Sequence, residues 1–201
     1  MSKRVCILGD SITQGYNDFE KGGWADRLKI YFNKENSDHS FFNLGVSGDN
    51  TEDLLKRFKV EAEARNPEVF IVAIGINDSQ YIETKSNPRI DIENFKNNLK
   101  TIKEIADNFS KNIVFIGLTK VNESKVMPIP WSITKYYDNE NVQLYDQVIK
   151  DFCEENNIYF IEMFDLLEEE NLSDGLHPDS EGHKKMFEKI KDFLVENKII
   201  K

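Results

Sequence analysis

The fold is decided by the stretch RVCILGDS at residues 4–11, where an apolar run of strand length ends at a glycine and two polar residues. Four later runs share its apolar character, and none alternates cleanly between apolar and polar positions. This pattern is typical of strands covered on both faces, as in a parallel sheet. The predicted strands are Arg4–Gly9, Ser40–Gly45, Val69–Gly75, Asn112–Leu118 and Ile158–Met163.

Segments with helical periodicity alternate with these strands. In the third segment, apolar residues recur at helical spacing from Ile92 to Ile105, and Asp91 is a suitable N-cap. The alternation predicts a three-layer α/β/α fold, flavodoxin-like, with about five parallel strands in one domain over residues 1–201. The predicted helices are Trp24–Asn33, Thr51–Arg65, Asp91–Phe109, Asn139–Glu155 and Ser180–Asn197.

The composition excludes several classes of protein. The chain carries a formal net charge of −10, which argues against a nucleic-acid partner or an anionic membrane surface. No apolar stretch approaches the roughly 18 residues of a membrane span, so no stable membrane anchor is expected. Its two cysteines, Cys6 and Cys153, lack both a disulfide framework and metal-ligand spacing. We therefore expect a reduced, cytoplasmic protein that binds no metal.

Four short polar segments stand at or beyond the ends of predicted strands. They are GDS at residues 9–11, NLGVSG at 43–48, GIND at 75–78 and DGLHP at 174–178. In an open parallel sheet, sites form outside the carboxyl ends of the strands, near the point where strand order reverses. These segments should therefore meet at one edge of the sheet. If the strand order is 2-1-3-4-5, the GDS and GIND segments flank the reversal point itself.

Ser11 is the candidate nucleophile, because a hydroxyl at a strand-to-turn position can be exposed where an imidazole takes its proton. The alternative is that Ser11 only caps a helical turn. Ser47 is a weaker candidate, since the G-x-S-x-G elbow of lipases is absent. The base is His177, with Asp174 three residues earlier as the carboxylate that orients it around a turn at Gly175.

The other two histidines have structural interpretations. His39 lies in a polar stretch and is predicted to be a surface loop residue. His183 lies in the last predicted helix, where it is expected to pack or cap. A turn with an incidental histidine remains the alternative for His177.

Gly48 and Asn77 are candidate donors to a developing oxyanion. A backbone N–H at a glycine approaches a substrate closely, and an asparagine amide adds a second donor. Their alternatives are turn and cap roles. The nearby carboxylates Asp10, Asp49 and Asp78 are expected to be structural. A paired-carboxylate glycosidase would leave the serine and histidine unexplained.

As a set, these four segments resemble the conserved blocks of the SGNH hydrolases, also called GDSL esterases and lipases. The resemblance runs from Cys6 to about His183, with the blocks in the family's order. It implies Ser11 as nucleophile, His177 as base and Asp174 as its partner. It also implies an oxyanion hole formed by the backbone N–H groups of Ser11 and Gly48 together with the Asn77 side chain. Metal motifs, a P-loop and a G-x-G-x-x-G are absent from the sequence, so no cofactor is expected.

The implied activity is hydrolysis of a small-molecule carboxylic ester through an acyl-serine intermediate, most simply with a short acyl or acetyl group. The family also contains lysophospholipases, thioesterases and carbohydrate deacetylases. An acyltransferase would use the same acyl-serine. The rival from another class is a non-catalytic, flavodoxin-like binding module that retains the crevice at the sheet edge.

Two long connections, Ser79–Arg89 and Lys120–Asp138, lie above the expected site. The second is unusually apolar, and we interpret it as the wall of an acyl or alcohol pocket, with Trp131 and Met127 as substrate-binding residues. The alternative is a loop that packs onto the domain's own core. Trp24 is a further aromatic side chain that could contact a sugar or an acyl chain.

Overall fold

The computed structural model describes residues 2–34 and 38–200. Its strands are β1 (Arg4–Gly9), β2 (Ser40–Gly45), β3 (Val69–Ala73), β4 (Tyr81–Ile82), β5 (Ile113–Ile116), β6 (Lys135–Tyr136) and β7 (Tyr159–Ile161). Its α-helices are α1 (Ser11–Gln14), α2 (Gly23–Lys34), α3 (Thr51–Arg65), α4 (Ile76–Ser79), α5 (Ile92–Asp107), α6 (Glu123–Val126), α7 (Asn139–Asn156) and α8 (Ser180–Glu196). A 3₁₀ turn covers Glu169–Asn171.

Five parallel strands form the main sheet in the order β2-β1-β3-β5-β7. This confirms the predicted order 2-1-3-4-5, with β1 and β3 at the reversal point. Residues Val5, Cys6 and Ile7 of β1 have no exposed surface, as expected of a strand covered on both faces. Helices α2 and α8 pack together in one outer layer, and α3, α5 and α7 form the other. The three-layer α/β/α architecture is confirmed.

Three strands end before the residues at which the sequence predicted their ends. The sheet ladder of β3 stops at Ala73 and not at Gly75, β5 covers less than Asn112–Leu118, and β7 covers less than Ile158–Met163. Gly75 has φ +129°, which a strand does not contain, and it directly precedes α4. The apolar runs are longer than the strands because the chain stays buried after its pairing with the neighbouring strand ends. The buried residues beyond the strand ends include Ile74, Leu118 and Met163.

Four predicted helices differ from the observed ones by one or two residues at their ends. Capping residues explain the difference at the start of α5 and at the end of α8, because they flank a helix without belonging to it. Asp91 is the predicted N-cap, and its side chain accepts from the Asn94 N–H at 2.9 Å. The predicted bounds of four helices are therefore wrong by one or two residues. The predicted ranges are Trp24–Asn33, Asp91–Phe109, Asn139–Glu155 and Ser180–Asn197, and the observed helices are α2, α5, α7 and α8, respectively.

The two long connections are joined to each other. Strand β4 in the first pairs antiparallel with β6 in the second, and we call this two-stranded sheet the ribbon. The rings of Tyr81 and Tyr136 stack on it with centroids 5.4 Å apart. Interpreting both connections as loops was therefore wrong for these segments, and also for Ser79, which ends α4. Strands of two residues have too few positions to show a period in the sequence.

Two side chains lie deeper than the sequence suggested. His39 is buried and not a surface residue, because it directly precedes β2 and its ring packs edge-on against Phe32 and Phe41. Its Nδ1 accepts from the Lys3 backbone N–H at 2.9 Å. Trp24 has no exposed surface, so it belongs to the core and cannot contact a sugar or an acyl chain.

Both cysteines are buried free thiols. Burial raises the pKa of Cys6 and of Cys153 to about 12, so neither forms the thiolate that a nucleophile or metal ligand requires. Across residues 2–34 and 38–200, no helix combines the length and the apolarity needed to cross a bilayer.

Asp146 of α7 makes the stability of this fold depend on pH. Its Oδ1 accepts from the Leu118 N–H at 2.7 Å, and burial raises the pKa of its carboxyl to about 6. Ionisation is therefore harder in the folded than in the unfolded chain, so stability falls as pH rises from about 4 to 6. Asp146→Asn keeps the acceptor without the charge. Its free energy of unfolding should exceed that of the wild type by up to about 3 kcal/mol at pH 7 and by little at pH 4.

Urea unfolding at pH 4 and pH 7 measures this difference. Asp151→Asn, on the exposed side of the same helix, is the matched control and should change stability equally at both pH values. An Asp146→Asn gain of the same size at pH 4 and pH 7 would contradict the titration argument.

Candidate active site

Ser11 lies where β1 turns into α1. Asp10 is the N-cap of this short helix, and its side chain accepts from the Ile12 N–H at 2.9 Å. Gly15 ends the helix with φ +94°. Ser11 is thus the first residue of the helix, and the N-cap is Asp10. The alternative that Ser11 only caps a helical turn is therefore wrong. The Ser11 side chain is buried, at 4% exposure, rather than openly exposed, yet it lines a cavity at the carboxyl edge of the sheet.

A chain of two short hydrogen bonds joins Ser11 to His177 and His177 to Asp174. Ser11 Oγ lies 2.8 Å from His177 Nε2. On the other side of the imidazole, Nδ1 lies 2.7 Å from Asp174 Oδ2. The structure therefore brings together the three residues that the sequence selected, in the order of a hydroxyl, an imidazole and a carboxylate.

The loop between Asp174 and His177 is shaped by Gly175, which has φ +90°. A Cβ at this position would lie only 2.6 Å from the Cβ of Lys125, so a larger residue does not fit. The turn also points two backbone donors at Asp174, because its Oδ1 accepts from the N–H groups of Leu176 at 3.0 Å and His177 at 2.8 Å. The carboxylate is thereby fixed before it meets the imidazole.

The charge state of Asp174 sets the tautomer of His177. Burial opposes its ionisation, but the His177 side chain and the backbone N–H groups of His177 and Leu176 together hold the pKa of Asp174 well below its usual range. An ionised carboxylate only accepts hydrogen bonds, so Nδ1 of His177 carries the ring proton. Nε2 is then the acceptor for the Ser11 hydroxyl, which is the arrangement a general base needs.

Ser11 and Gly48 line the same cavity, and their backbone N–H groups are candidate donors to a substrate. Within the described part of the chain, the N–H groups of Ser11 and Gly48 make no hydrogen bond. Gly48 has φ +83°, a left-handed conformation that favours glycine. A Cβ at Gly48 would meet no atom within 4 Å, so the conformation rather than crowding explains the glycine. Its carbonyl is held by an Arg89 guanidinium nitrogen at 2.9 Å.

Asn77 enters the same cavity from α4, and both ends of its amide are held. Its Nδ2 donates to the Asp49 carbonyl at 2.9 Å, and its Oδ1 accepts from the Tyr137 hydroxyl at 2.8 Å. An amide nitrogen carries two hydrogens, so a second N–H remains for a substrate oxygen. The Asp49 carbonyl has no hydrogen to donate, so the amide nitrogen and not the amide oxygen must face it. The Tyr137 hydroxyl donates to the oxygen on the other side, and the two partners together hold the orientation in which Asn77 presents a donor.

Tyr137→Phe should lower kcat by about tenfold with little change in KM, because it removes one hydrogen bond that orients the Asn77 amide and keeps the buried ring. Combined with Asn77→Ala, it should cost nothing further, since the donor it positions is already gone. Steady-state kinetics of the four proteins in the cycle measure this. Tyr136→Phe is the control, because among the described residues its hydroxyl bonds to the Ile133 carbonyl alone. Fully additive losses would show that Tyr137 acts independently of Asn77.

The cavity has a volume of about 250 Å³ and includes Ser11, Gly48, Asn77 and His177 in its lining. Two half-exposed aromatic rings flank the imidazole. The Tyr16 ring centroid lies 4.5 Å from that of His177, and the Trp131 ring stacks at 5.9 Å and 28°. Met127, on the same connection as Trp131, is 42% exposed and is not among the residues that line this cavity. The predicted substrate contact is therefore kept for Trp131 alone.

Part of the apolar connection packs onto the core, as the alternative interpretation held. Val126, Ile129 and Tyr137 are buried, whereas Trp131 and Ile133 are exposed. The apolar character of Lys120–Asp138 thus has two causes, core packing and an exposed aromatic rim beside the cavity.

The neighbouring carboxylates have structural partners. Asp78 accepts from the Thr51 backbone N–H at 3.1 Å, which ties α4 to the start of α3. Asp49 pairs with Arg57 at 2.8 Å. Burial raises the pKa of Asp10 to about 7 and that of Asp78 to about 6. In the described part of the chain, no group of three His, Cys, Asp or Glu side chains is arranged to hold a metal ion.

His183 packs in the interior, as predicted. It has no exposed surface, its Nδ1 accepts from the Trp24 N–H at 3.3 Å, and its Nε2 donates to the Tyr16 carbonyl at 3.0 Å. Burial lowers the pKa of His183, which keeps its ring neutral. Its role at the site is indirect, because it supports the backbone of Tyr16.

Several residues that shape the site carry no signal in the sequence. Asn17 donates to Asp174 Oδ2 at 3.2 Å, from a position with φ +69°. Tyr16 and Tyr137 also shape the site, and the apolar pattern around Tyr137 indicates only a residue of the long connection. The one available signal was Gly15, which ends a helical turn and returns the next two residues toward the site.

The chain is similar in sequence to known proteins. The model of the GDSL-like Lipase/Acylhydrolase family matches residues 7–185. An arylesterase of Vibrio mimicus is 22% identical over 196 residues, which cover 98% of this chain and 90% of that protein. An uncharacterized lipoprotein, YqeF, of Bacillus subtilis (strain 168) is 31% identical over 100 residues. That match covers 47% of this chain and 40% of the lipoprotein.

Solved structures share the fold at low sequence identity. An acetylxylan esterase from Geobacillus stearothermophilus superposes with a TM-score of 0.74 at 19% identity, covering 96% of this chain and 93% of that one. An alpha/beta hydrolase enzyme from the metagenome of Lake Arreo, Spain, gives 0.75 at 16% identity, with coverages of 96% and 94%. At these identities the likeness establishes the architecture alone.

Proposed function

This chain belongs to the GDSL-like lipase/acylhydrolase family, and from that premise we propose that it is a serine esterase acting on carboxylic esters with short acyl groups. The observation that carries the proposal is the hydrogen-bond chain from Ser11 through His177 to Asp174, with distances of 2.8 and 2.7 Å. A non-catalytic binding module would not require these two hydrogen bonds to end at a hydroxyl that lines a cavity.

In the first step, Ser11 Oγ attacks the ester carbonyl carbon while His177 Nε2 takes the hydroxyl proton. The imidazolium that forms is stabilised by the ionised Asp174. The carbonyl oxygen gains negative charge and accepts from the N–H groups of Ser11 and Gly48 and from the free N–H of Asn77. The intermediate then collapses, the bond to the alcohol oxygen breaks, and His177 Nε2–H protonates the departing alcohol.

In the second step, water attacks the acyl-serine. His177 Nε2 takes a proton from that water, and the same donors stabilise the second oxyanion. The ester bond to Ser11 Oγ breaks, and the imidazolium returns the proton to Oγ. The carboxylic acid leaves, and the hydrogen-bond chain is restored.

The relatives agree with this chemistry. The full-length relative from Vibrio mimicus is an arylesterase, and the Geobacillus stearothermophilus protein is an acetylxylan esterase. Catalytic mutants of the latter replace a serine, an aspartate and a histidine. In that protein the aspartate lies three positions before the histidine. Asp174 and His177 have the same spacing.

The small cavity supports a short acyl group. A volume of about 250 Å³ is below the range of sites for drug-sized ligands, so a long chain would extend past Trp131 into solvent. Each buried CH₂ contributes about 0.8 kcal/mol, so kcat/KM should rise from acetyl to about butyryl and then level off or fall. Trp131→Ala should lower kcat/KM for butyryl more than for acetyl esters. A series of 4-nitrophenyl esters from acetyl to palmitoyl measures both trends.

Ile133→Ala is the control, because Ile133 is more exposed than Trp131 and is absent from the cavity lining. Activity that keeps rising to palmitoyl, or a Trp131→Ala effect independent of chain length, would favour a lipase or a lysophospholipase instead.

The esterase proposal itself is tested with 4-nitrophenyl acetate, an acyl-thioester, an acetylated xylo-oligosaccharide and a lysophospholipid. We expect the oxygen esters of acetate to be hydrolysed. Preference for the thioester would reassign the substrate class, and transfer of the acetyl group to an added alcohol at the expense of acetate release would identify an acyltransferase. Hydrolysis of none of them would favour the binding module.

We place the enzyme in the reducing cytoplasm, because both of its cysteines are buried free thiols. The alternative is an enzyme outside the cytoplasm, because part of the chain is similar to a lipoprotein. Fractionation of the producing cells separates the two.

A further inference from the structure

The ribbon and the residues that flank β4 contribute polar and cationic residues to the active-site cavity. Gln80 directly precedes β4, Arg89 lies seven positions after its end, and Lys135 lies in β6. All three residues line the cavity. The cavity lining in the described residues contains these two cations and no acidic residue, although acidic residues outnumber Lys and Arg by 36 to 26 in the whole chain. The local charge is thus opposite to that of the protein.

Gln80 has unused hydrogen-bonding capacity in this lining. Its side chain is 3% exposed, and its buried Oε1 has no hydrogen-bond partner among the described residues. Its backbone is fixed, because its carbonyl accepts from the Arg89 N–H at 2.7 Å. A buried acceptor without a partner is costly in free energy. A bound ligand that donates a hydrogen bond to Oε1 would remove that cost.

The two cations differ in how far they are neutralised. Arg89 bonds to the Gly48 carbonyl at 2.9 Å and lies 3.5 Å from Asp53, so part of its charge is already balanced. Lys135 is half-buried and makes neither a hydrogen bond nor an ion pair through its ammonium group within residues 2–34 and 38–200. By contrast, Lys85 near the same ribbon is paired with both Asp138 and Glu140.

We propose that the natural ester carries an anionic group, a carboxylate or a phosphate, on its alcohol part, and that Lys135 is its main counter-ion. This rests on the proposed esterase function. The charge belongs to the alcohol part because the short acyl group leaves no room for one. Lys135 and the remaining N–H groups of Arg89 would donate to the anion, and the unpartnered Oε1 of Gln80 is left to accept from a hydroxyl or N–H elsewhere on the alcohol part.

The test compares two esters that differ only in charge. The anionic ester is 4-acetoxybenzoate, and its neutral isostere is 4-acetoxybenzamide. The wild type should prefer the benzoate in kcat/KM. Lys135→Met keeps the length of the side chain and removes its charge, so the benzoate-to-benzamide ratio should fall about fivefold. Lys135→Arg should restore most of it. Adding 4-acetoxyphenyl phosphate distinguishes a phosphate preference from a carboxylate preference.

Lys100→Met is the matched control, because it removes the same charge from an exposed position of α5. It should leave the benzoate-to-benzamide ratio at the wild-type value. High salt should lower the wild-type ratio, since a half-buried ion pair is partly screened.

Two results would overturn the inference while leaving the esterase intact. The benzoate-to-benzamide ratio could be unchanged in Lys135→Met, or it could fall equally in Lys100→Met. An unchanged ratio with both esters slowed equally in Lys135→Met would make Lys135 a stabiliser of the oxyanion rather than a recognition group. If neither ester is hydrolysed in a Ser11-dependent manner, the proposed function itself fails.

Discussion

We expect Ser11→Ala and His177→Ala each to lower kcat by on the order of 10⁶-fold, because the nucleophile and its base act as a unit. Without Oγ no acyl-serine forms. Without the imidazole, nothing takes the proton from the hydroxyl 2.8 Å away. The double variant should be no slower than either single variant. Steady-state kinetics with 4-nitrophenyl acetate measure all three.

Both changes should leave the fold intact, since each removes a side chain that lines a cavity and fills no part of the main core. Urea unfolding checks this point. Ser47→Ala is the matched control, because Ser47 lies in the same cavity lining and is exposed. Near-normal turnover by folded Ser11→Ala, or a large loss in Ser47→Ala, would contradict the assignment of the nucleophile.

Asn77→Ala should lower kcat by roughly 10²–10³-fold and change KM little, because its free N–H acts mainly on the charge that develops in the transition state. The substitution also removes the bond from Nδ2 to the Asp49 carbonyl, which is 2.9 Å long. Some loss of stability is therefore expected and must be separated from the loss of activity.

Asn98→Ala provides that separation. Asn98 is a partly buried residue of α5 whose Nδ2 donates to Thr51 Oγ1 at 2.8 Å, away from the cavity. It should lose stability without losing kcat. A change in Asn77→Ala that is confined to KM would mark Asn77 as a binding or structural residue and not as an oxyanion donor.

The sheet and the chemistry of its edge were predictable because they depend on local patterns. The run Val5–Leu8 is apolar throughout, which only a strand covered on both faces requires, and Gly9 and Asp10 mark where it ends. Once strands and helices alternate, parallel pairing places the ends of β1, β2 and β3 at one edge. Ser11, Gly48 and Asn77 then meet without further information.

The remainder of the site depends on contacts between residues far apart in the sequence. Tyr137 bonds to Asn77 across 60 positions, and a buried tyrosine in an apolar stretch gives no sign of that partner. The ribbon consists of two strands of two residues each, so Gln80, Arg89 and Lys135 had no element to place them together. His39 looked exposed because its neighbours are polar, whereas its own ring packs against two aromatic side chains.

The central claim, that acyl transfer passes through Ser11, is tested most directly by reacting the protein with a fluorophosphonate and locating the adduct by peptide mass spectrometry. The account predicts one adduct, on the peptide that contains Ser11, and much slower labelling of folded His177→Ala, which retains the hydroxyl but lacks its base. An adduct on Ser47 or on any other residue, or none in a preparation that hydrolyses 4-nitrophenyl acetate, would contradict it.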